Sequence, residues 1–578
     1  MYFLGVKSNV YFEKIAQRNT EKTETLIPSR GQILDRNGNL LATNELGFSI
    51  ALNPLLGSKE KLEREIDKIV QFFPFLNKEK LIKEYRSEYS PYNHSPIIVA
   101  PFIEYAQMQK SYTQLLQNPN IFISPSTKRF YPYDALASHI IGYAGSANQK
   151  EVQEDPVAKY THLIGKLGIE KEYNQQLQGS LGYRKIKVNA LNKEVEFLSE
   201  DALQNGENIQ ISIDVALQKV VDREFRDKSG AIVVMDVENG EILAAGSYPE
   251  YNLNDFVGGI SHAKWNALIE SPYAPLLNKF LRGAYPPGSV IKMGVALSFL
   301  EYAGIDEKTL IDTPEYVELG GRKFRDWKIG GHGKSDMVKA IKESVDVYFY
   351  VLSQKTGVEN IAGTLKKMGF GERSGIDLGG EARGIVPTPE WKMKQNGEQW
   401  FVGDTINISI GQGAFLATPI QIARYTALLA SGTLPTPHFA TKIGDKELEY
   451  QKQDILTPLQ KSKLPAIALG MYQVCNDSNG GTAYKYTQGS KIKLACKTGT
   501  AQVVGIPQEI KKRVKEEDMA YFHRSHGWIT AFAPYKNPRY AITVLVEHGG
   551  GSRSASPILV DIVNAMVDLG YFSKEKTK

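Results

Sequence analysis

The chain has 578 residues, enough for two to four domains, and its 42% apolar and 23% charged residues are the balance of an ordinary globular protein. Its formal net charge of +5 comes from 69 basic and 64 acidic residues with no long basic run. That argues against nucleic acid as a partner, because its readers concentrate their charge in a stripe or patch.

In chain order, the opening MYFLGV is too short for a signal or membrane helix, and no stretch reaches the roughly 18 apolar residues that span a bilayer. The chain reads as soluble, although one trimmed at the end of an anchor would read the same. Residues 28–44, PSRGQILDRNGNLLATN, read as two strands around an Asn37-Gly38 turn. From 57 to 120 the pattern is helical and rich in polar residues, with Leu62, Ile66, Ile69 and Val70 at helical spacing, and no catalytic constellation stands out. Residues 160–200 read as a short helix followed by strands. The texture changes at about 210, and SGAIVVMDVENGEILAAGSYP is a second hairpin around Asn239-Gly240. Residues 289–430 are mainly helical. KIKLACKTGTAQVV, HGWITAFAP and RYAITVLVEHGG then return to strands, the last two flanking a Lys536-Asn537-Pro538 turn, and PILVDIVNAMVDLGYF closes the chain as a helix. Two strands before the helical block and three after it predict one five-stranded, mostly antiparallel sheet with helices packed on it, an α+β fold. The two cysteines, Cys475 and Cys496, form neither a disulfide framework nor a metal pattern and read as two separate buried thiols.

Ser-x-x-Lys occurs five times, from Ser58, Ser261, Ser289, Ser490 and Ser573. Only Ser289 opens a helix that is apolar on nearly every side, as a core helix is. The plain reading is that Ser289 caps the helix and Lys292 snorkels to water. The chemical reading is that residues i and i+3 share a face, so the amine can reach the hydroxyl and activate it. A lysine acts as such a base only if its pKa falls by about three units from about 10.4, which burial and a second nearby cation would promote. That cation has a candidate in Lys497-Thr498-Gly499-Thr500, within a strand: a lysine and two threonines pointing one way would clamp a carboxylate, and Gly499 would let another backbone approach. The other KTG, Lys355-Thr356-Gly357, follows a helical run and reads as a C-cap. ESVDVYFY places Ser344 and Asp346 at the start of an aromatic-rich helix, where alone they would be capping residues. Among nine histidines there is no G-x-S-x-G elbow, and His526 reads as structural. GGHGKSD lacks the upstream glycine of a P-loop. Asp312, Asp326 and His332 could ligate a metal, but Val345 stands where a fourth ligand would fall. They read as a solvated loop, with no metal and no cofactor expected.

Together, and in this order, Ser289-x-x-Lys292, Ser344-x-Asp346 and Lys497-Thr498-Gly499 resemble the serine penicillin-recognising enzymes. RGQILDRNGNLLATN, RFYPYDALASHIIGYAG, GKLGIEKEYNQQLQGSLG, YPPGSVIK, SIGQGAFLATPIQIARYTALLASG and HGWITAFAP resemble the class B penicillin-binding proteins, nearest their elongation-specific branch. The likeness covers nearly the whole chain except 57–120. Many relatives carry asparagine where Asp346 stands, and an acid there marks the elongation-type branch. Relatives also begin with a spanning helix, and MYFLGVKSNVYFEKIAQRN resembles the stretch after it. The resemblance implies a peptidoglycan D,D-transpeptidase that cross-links stem peptides through a serine acyl-enzyme and is inhibited covalently by β-lactams. It implies Ser289 as nucleophile, Lys292 as base, Ser344 with Lys497 as proton donor to the leaving amine, and Asp346, Thr498, Gly499 and Thr500 around the substrate. The backbone N–H groups of Ser289 and Thr500 would form the oxyanion hole. It further implies a transpeptidase domain over 210–578 on an elongated N-terminal α+β pedestal, made of a membrane-proximal part at 1–56, an inserted helical head at 57–125 and a return at 126–209. Expected partners are a RodA-type glycan polymerase and an MreC-type periplasmic scaffold, with the chain anchored in the inner membrane and its bulk in the periplasm. The alternatives are a β-lactamase or β-lactam sensor on the same fold, or a non-catalytic cell-wall scaffold.

Overall fold

The computed structural model describes residues 21–92, 95–189, 194–504 and 515–572; the expected anchor-proximal stretch up to residue 19 lies outside them. Among the described residues no helix is long and apolar enough to cross a membrane. The chain divides into two compact units, Leu40–Pro132 and the remainder.

In the smaller unit, strand Leu40–Leu52 pairs antiparallel with both Ile97–Glu104 and Ile121–Phe130. Helix Lys59–Phe72 starts at Ser58, whose side chain accepts from the Lys61 N–H, and buries Leu62, Ile66 and Ile69. These join Ile50, Leu81, Tyr85, Val99 and Ile103 in one core. The segment 57–120, expected to be helical, therefore also carries the strand Ile97–Glu104, and the strand Ile121–Phe130 follows it directly. Pro101 and Pro125 lie inside them, and a proline within an apolar run disguises a strand by removing a ladder donor.

In the larger unit the Asn37-Gly38 turn is present, with the Asp35 N–H donating to the Asn39 carbonyl at 2.9 Å, and Ile33–Leu34 lies parallel to Ile209–Ile211. Short helices Gly168–Glu172 and Asn174–Gln178 lead into the antiparallel strands Gly182–Val188 and Glu194–Asp201. The expected hairpin follows as β1 (Gly230–Asp236) and β2 (Ile242–Tyr248). The helical block contributes α1 (Lys292–Tyr302), α2 (Asp346–Thr356), α3 (Pro419–Ser431) and α4 (Pro458–Asn476). The chain returns through β3 (Ala495–Ala501), β4 (His526–Ala533) and β5 (Tyr540–Val546) and ends in α5 (Ala555–Asp568). The sheet order is β2-β1-β5-β4-β3, antiparallel throughout. All of β2 and β5, and all of β1 but Asp236, are buried, so helices cover both faces, as a run without alternation requires. Both α3 and α5 pack on the sheet. The helical block is interrupted by small strands at 311–335, among them the hairpin Tyr316–Leu319 and Arg322–Arg325. Its Gly320-Gly321 turn, with both φ angles positive, was the legible signal.

The cysteines are not separate thiols. Cys475, near the end of α4, and Cys496, in β3, are joined by a disulfide with Cα atoms 5.9 Å apart. A spacing of 21 residues says nothing about pairing; the packing of α4 against β3 brings them together.

Candidate active site

β3 is an edge strand, and its free side faces the turn that carries Ser289. That turn is fixed from several directions. The Trp528 indole N–H donates to the Pro286 carbonyl at 3.1 Å. Tyr285 packs edge-on against Trp528 and donates its hydroxyl to Glu547 at 2.7 Å. Gly288 adopts φ +57°, and its N–H donates to the Gly411 carbonyl at 2.9 Å. A Cβ on Gly288 would lie 2.7 Å from the Thr500 carbonyl oxygen, so the turn and strand meet backbone to backbone. Ser289 sits in a 3₁₀ turn, Gly288–Ile291, and α1 begins only at Lys292, without a side-chain cap. Ser289 is therefore no N-cap. It is half-buried, and among the described residues no hydrogen bond engages its hydroxyl.

Lys292 does not snorkel: its side chain is fully buried. Its Nζ donates to the Ser344 carbonyl at 2.9 Å, to Ser344 Oγ at 3.4 Å and to Asp346 Oδ1 at 2.6 Å, and it lies 5.0 Å from the Phe349 ring centroid. Lys497 Nζ donates to the same Ser344 Oγ at 2.8 Å and to the Thr498 carbonyl at 3.0 Å. Burial, and next the positive charge of Lys292, hold the Lys497 amine well below the usual lysine range, against the pull of Asp346. Ser344 itself is buried, with φ +54°, a conformation uncommon for a non-glycine residue. Neither Ser344 nor Asp346 caps α2, whose N-cap is Val345. Asp346, expected beside the substrate, spends one oxygen on Lys292.

The strand residues do not all point one way. Alternation along β3 sets Lys497 on the face opposite Thr498 and Thr500. Thr498 is buried and shares a hydrogen bond of 2.8 Å with the Thr482 hydroxyl. Thr500 is exposed, and its carbonyl accepts from Gln412 Nε2 at 3.0 Å. Gly499 admits the close approach expected of it: a Cβ there would meet Val290 at 2.9 Å and the Pro287 carbonyl oxygen at 3.1 Å.

The remaining candidates lie apart from this cluster or beside it. Ser58 and Ser261 are ordinary helix N-caps, and Gly357 is the C-cap of α2. His526 takes the His548 N–H on Nδ1 at 3.0 Å, and burial, then His548, lowers its pKa to about 4. Asp326 and His332 are not in a solvated loop. Both are buried; His332 lies 3.1 Å from Asp326 and 2.7 Å from Glu343, and Asp326 accepts the Val347 N–H at 3.0 Å at the start of α2. Burial alone would raise the Asp326 carboxyl, but His332, Val347 and Lys292 hold it below the usual carboxylate range. Asp312 is exposed, and among the described residues no cluster of His, Cys, Asp and Glu is arranged to hold a metal. The supports missed in the sequence are Gln412, Thr482 and the buried Lys279–Glu547 pair at 2.8 Å that holds Tyr285. Their partners are tens to hundreds of residues away, and only Gln412 lay in a stretch carrying a recognisable motif.

A hydroxyl with no hydrogen bond among the described residues, three positions ahead of a buried lysine that shares Ser344 with a second, on an α+β core with an edge strand, is the arrangement of a serine acyl-transfer fold, and comparison with known proteins agrees. Residues 230–564 match the penicillin-binding protein transpeptidase domain and residues 25–211 the penicillin-binding protein dimerisation domain; the chain belongs to the penicillin-binding transpeptidase family. Within that family it is 35% identical to the peptidoglycan D,D-transpeptidase MrdA of Haemophilus influenzae, over 95% of this chain and 87% of the relative. Among solved structures it is similar to penicillin-binding protein 2 of Helicobacter pylori in complex with MreC, with a TM-score of 0.89 and 51% identity over 96% of this chain and 99% of the other. It is also similar to a structure described as a peptidoglycan synthase complex that coordinates polymerization and crosslinking, with a TM-score of 0.75 and 25% identity over 99% and 97% of the two chains.

Proposed function

We propose that the chain is an elongation-type peptidoglycan D,D-transpeptidase, and that Ser289 Oγ attacks the carbonyl between two terminal D-alanines of a stem peptide. The observation that carries this reading is Ser344 Oγ, which accepts hydrogen bonds from both buried amines, Lys292 and Lys497. It is a ready relay for a proton. As the Ser289 Oγ–carbon bond forms, Lys292 takes the hydroxyl proton. The resting Lys292 points to Ser344 and Asp346, and such contacts commonly tighten onto the nucleophile only with substrate bound. As the carbon–nitrogen bond breaks, the proton passes through Ser344 Oγ to the leaving amine of D-alanine. The backbone N–H groups of Ser289 and Thr500 stabilise the oxyanion, typically the largest single contribution to acyl transfer; the contact of Gly288 with the Thr500 backbone supports this. The open edge of β3 suits an extended peptide, which pairs with a free strand. Thr500, the exposed residue of β3, meets its terminal carboxylate, with Gly499 leaving the space, Lys497 acting from the other face through Ser344 and Asp346 holding Lys292 in place. The amine of a second stem peptide then attacks the acyl-enzyme and releases Ser289. A β-lactam enters as a donor mimic and stays attached.

The disulfide supports an oxidising compartment outside the cytoplasm, in keeping with a periplasmic enzyme held at the inner membrane by an N-terminal anchor. The N-terminal third serves as a pedestal, comprising segments 1–56, 57–125 and 126–209, for an MreC-type scaffold and a RodA-type polymerase. Support comes from the two complexes of related proteins and from apolar side chains exposed on the smaller unit, Leu46, Phe75 and Ile98. The test is intact mass after incubation with penicillin. The protein should gain one penicilloyl group on the peptide containing Ser289, and Ser289→Ala should gain none while remaining folded. An adduct that persists, or that maps to Ser344, would overturn the assignment; rapid turnover of nitrocefin would favour a β-lactamase.

A further inference from the structure

The disulfide lies one residue before Lys497, in the strand that carries Lys497, Thr498 and Thr500. Three ties join the end of α4 and the segment after it to this strand. Cys475 is bonded to Cys496. The Asn476 side-chain amide donates to the Leu494 carbonyl at 2.9 Å. Thr482, inside the loop that the disulfide closes, shares its hydroxyl with Thr498 at 2.8 Å. Two of the ties are side chains at alternate positions, Cys496 and Thr498, so they hold one side of β3 while Lys497 projects to the other; the third holds the carbonyl of Leu494, just before the strand. Both cysteines are buried, Cys475 at 2% and Cys496 at 0% exposure. The middle of the loop is tied back to its start by Thr487, whose hydroxyl donates to the Cys475 carbonyl at 2.6 Å. β3 is an edge strand, paired on one side only, so its position toward the Ser289 turn depends on such lateral supports.

We propose that the Cys475–Cys496 disulfide, together with Thr482, is a positioning element of the acyl-transfer site, which sets Lys497 against Ser344 and Thr500 against Gly288. The inference rests on the transpeptidase reading. Without the link, α4 and β3 lose their one covalent tie, Thr482 drifts from Thr498, and the Lys497–Ser344 contact loosens. Displacements near 1 Å at reacting groups can cost about 10²-fold in rate.

The measurement is the second-order rate of acylation of the full chain by a fluorescent penicillin, from pH 6 to 10, with folding followed by circular dichroism. Cys475→Ala/Cys496→Ala should acylate about 10- to 100-fold more slowly than wild type with an unchanged fold. Its pH profile should move, because Lys497 no longer keeps its place beside Lys292. Thr482→Val, which keeps the side-chain shape and the disulfide, should slow acylation about fivefold and move the profile in the same direction. If both variants acylate within about twofold of wild type with an unmoved profile, the disulfide is a structural brace only and the proposal is wrong. Should the double variant fail to fold, Thr482→Val decides by the same criteria. Denatured, unreduced wild type should take up no iodoacetamide; two adducts per chain would remove the disulfide and the proposal with it. Wild type that takes no penicillin at all would count against the transpeptidase reading itself, whereas a defect confined to the variants leaves that reading standing.

Discussion

Helices Lys292–Tyr302 and Lys59–Phe72 each bury one charged side chain, and they do so to different ends. The second is amphipathic: it buries Leu62, Ile66 and Ile69 on one face, and its buried Glu65 is answered by Lys68 one turn on and by the neutral amides of Asn118 and Asn120. The first is buried on all sides, with nine of its eleven residues out of solvent, and its Lys292 is answered by Ser344 and Asp346 from another helix start. A buried charge whose partners serve it alone is architecture. One whose partner Ser344 also serves a second buried lysine suits the proposed proton transfer. The cost of desolvating such groups, several kcal/mol per ion in real proteins, is met where the chain needs reactivity.

The sharpest test of this contrast is Lys497→Met. Acylation by penicillin should fall by about 10²- to 10⁴-fold, the range for loss of a proton-transfer group, and a near-normal rate would erase the distinction between the two helices' environments. The same variant tests the charge state. The folded-state pKa of Lys497 lies below the unfolded value of about 10.4, so over the window between them the unfolded chain binds a proton that the folded one lacks. This group's contribution to stability must then rise with pH. The difference in unfolding free energy between wild type and variant should grow as pH rises toward 10; a flat difference means that the amine is not perturbed.

Ile66→Ala, in the fully buried core of the smaller unit, should cost about 2–5 kcal/mol of that unit's stability yet leave acylation within about twofold. A matching loss of acylation would show that the two units are energetically coupled. His526 gives an intermediate effect, because its pKa falls to about 4 on folding from an ordinary value of about 6.5. Its share of stability is complete above pH 6.5 and is lost as pH falls toward 4, up to about 3 kcal/mol in all. His526→Gln should therefore flatten part of the acid-unfolding curve in that window, and an unchanged curve would mean the imidazole stays solvated. The smallest effect belongs to Leu46→Ser, exposed at 70%, which should change stability by no more than about 0.5 kcal/mol. If it weakens binding to an MreC-type partner in a pull-down, the exposed face has a use that stability does not report.

The sheet was readable because β1, β4 and β5 are continuous apolar runs and Asn239-Gly240 marks a hairpin. The four residues Ser289, Lys292, Ser344 and Lys497 were readable as a set only through the order of their motifs, since each alone fits a cap or a surface side chain. What stayed hidden depends on distance along the chain. Glu547 meets Lys279 and Ser229 across hundreds of residues, the Cys475–Cys496 bond follows from how α4 packs, and the Asp326–His332–Glu343 chain forms only because the 311–335 segment folds back on α2. Strand alternation was legible in principle, and applying it to Lys497-Thr498-Gly499-Thr500 would have separated the lysine from the threonines.

The meeting of Gly288 with the Thr500 backbone, and of Gly499 with Pro287 and Val290, also bears on how the sequence can change under drug pressure. A larger residue at 288 must displace main chain, and one at 499 must push the Val290 side chain and crowd the Pro287 carbonyl, so substitutions there should disturb the native reaction along with the inhibitor's. If Ser289 is the acylated residue, as proposed, selection by an agent that acylates it should be steered away from these two positions. Tolerated escape should gather in peripheral positions that alter entry or dissociation, and an inhibitor whose grip depends chiefly on the 288 and 499 backbones would leave the bacterium few viable replies.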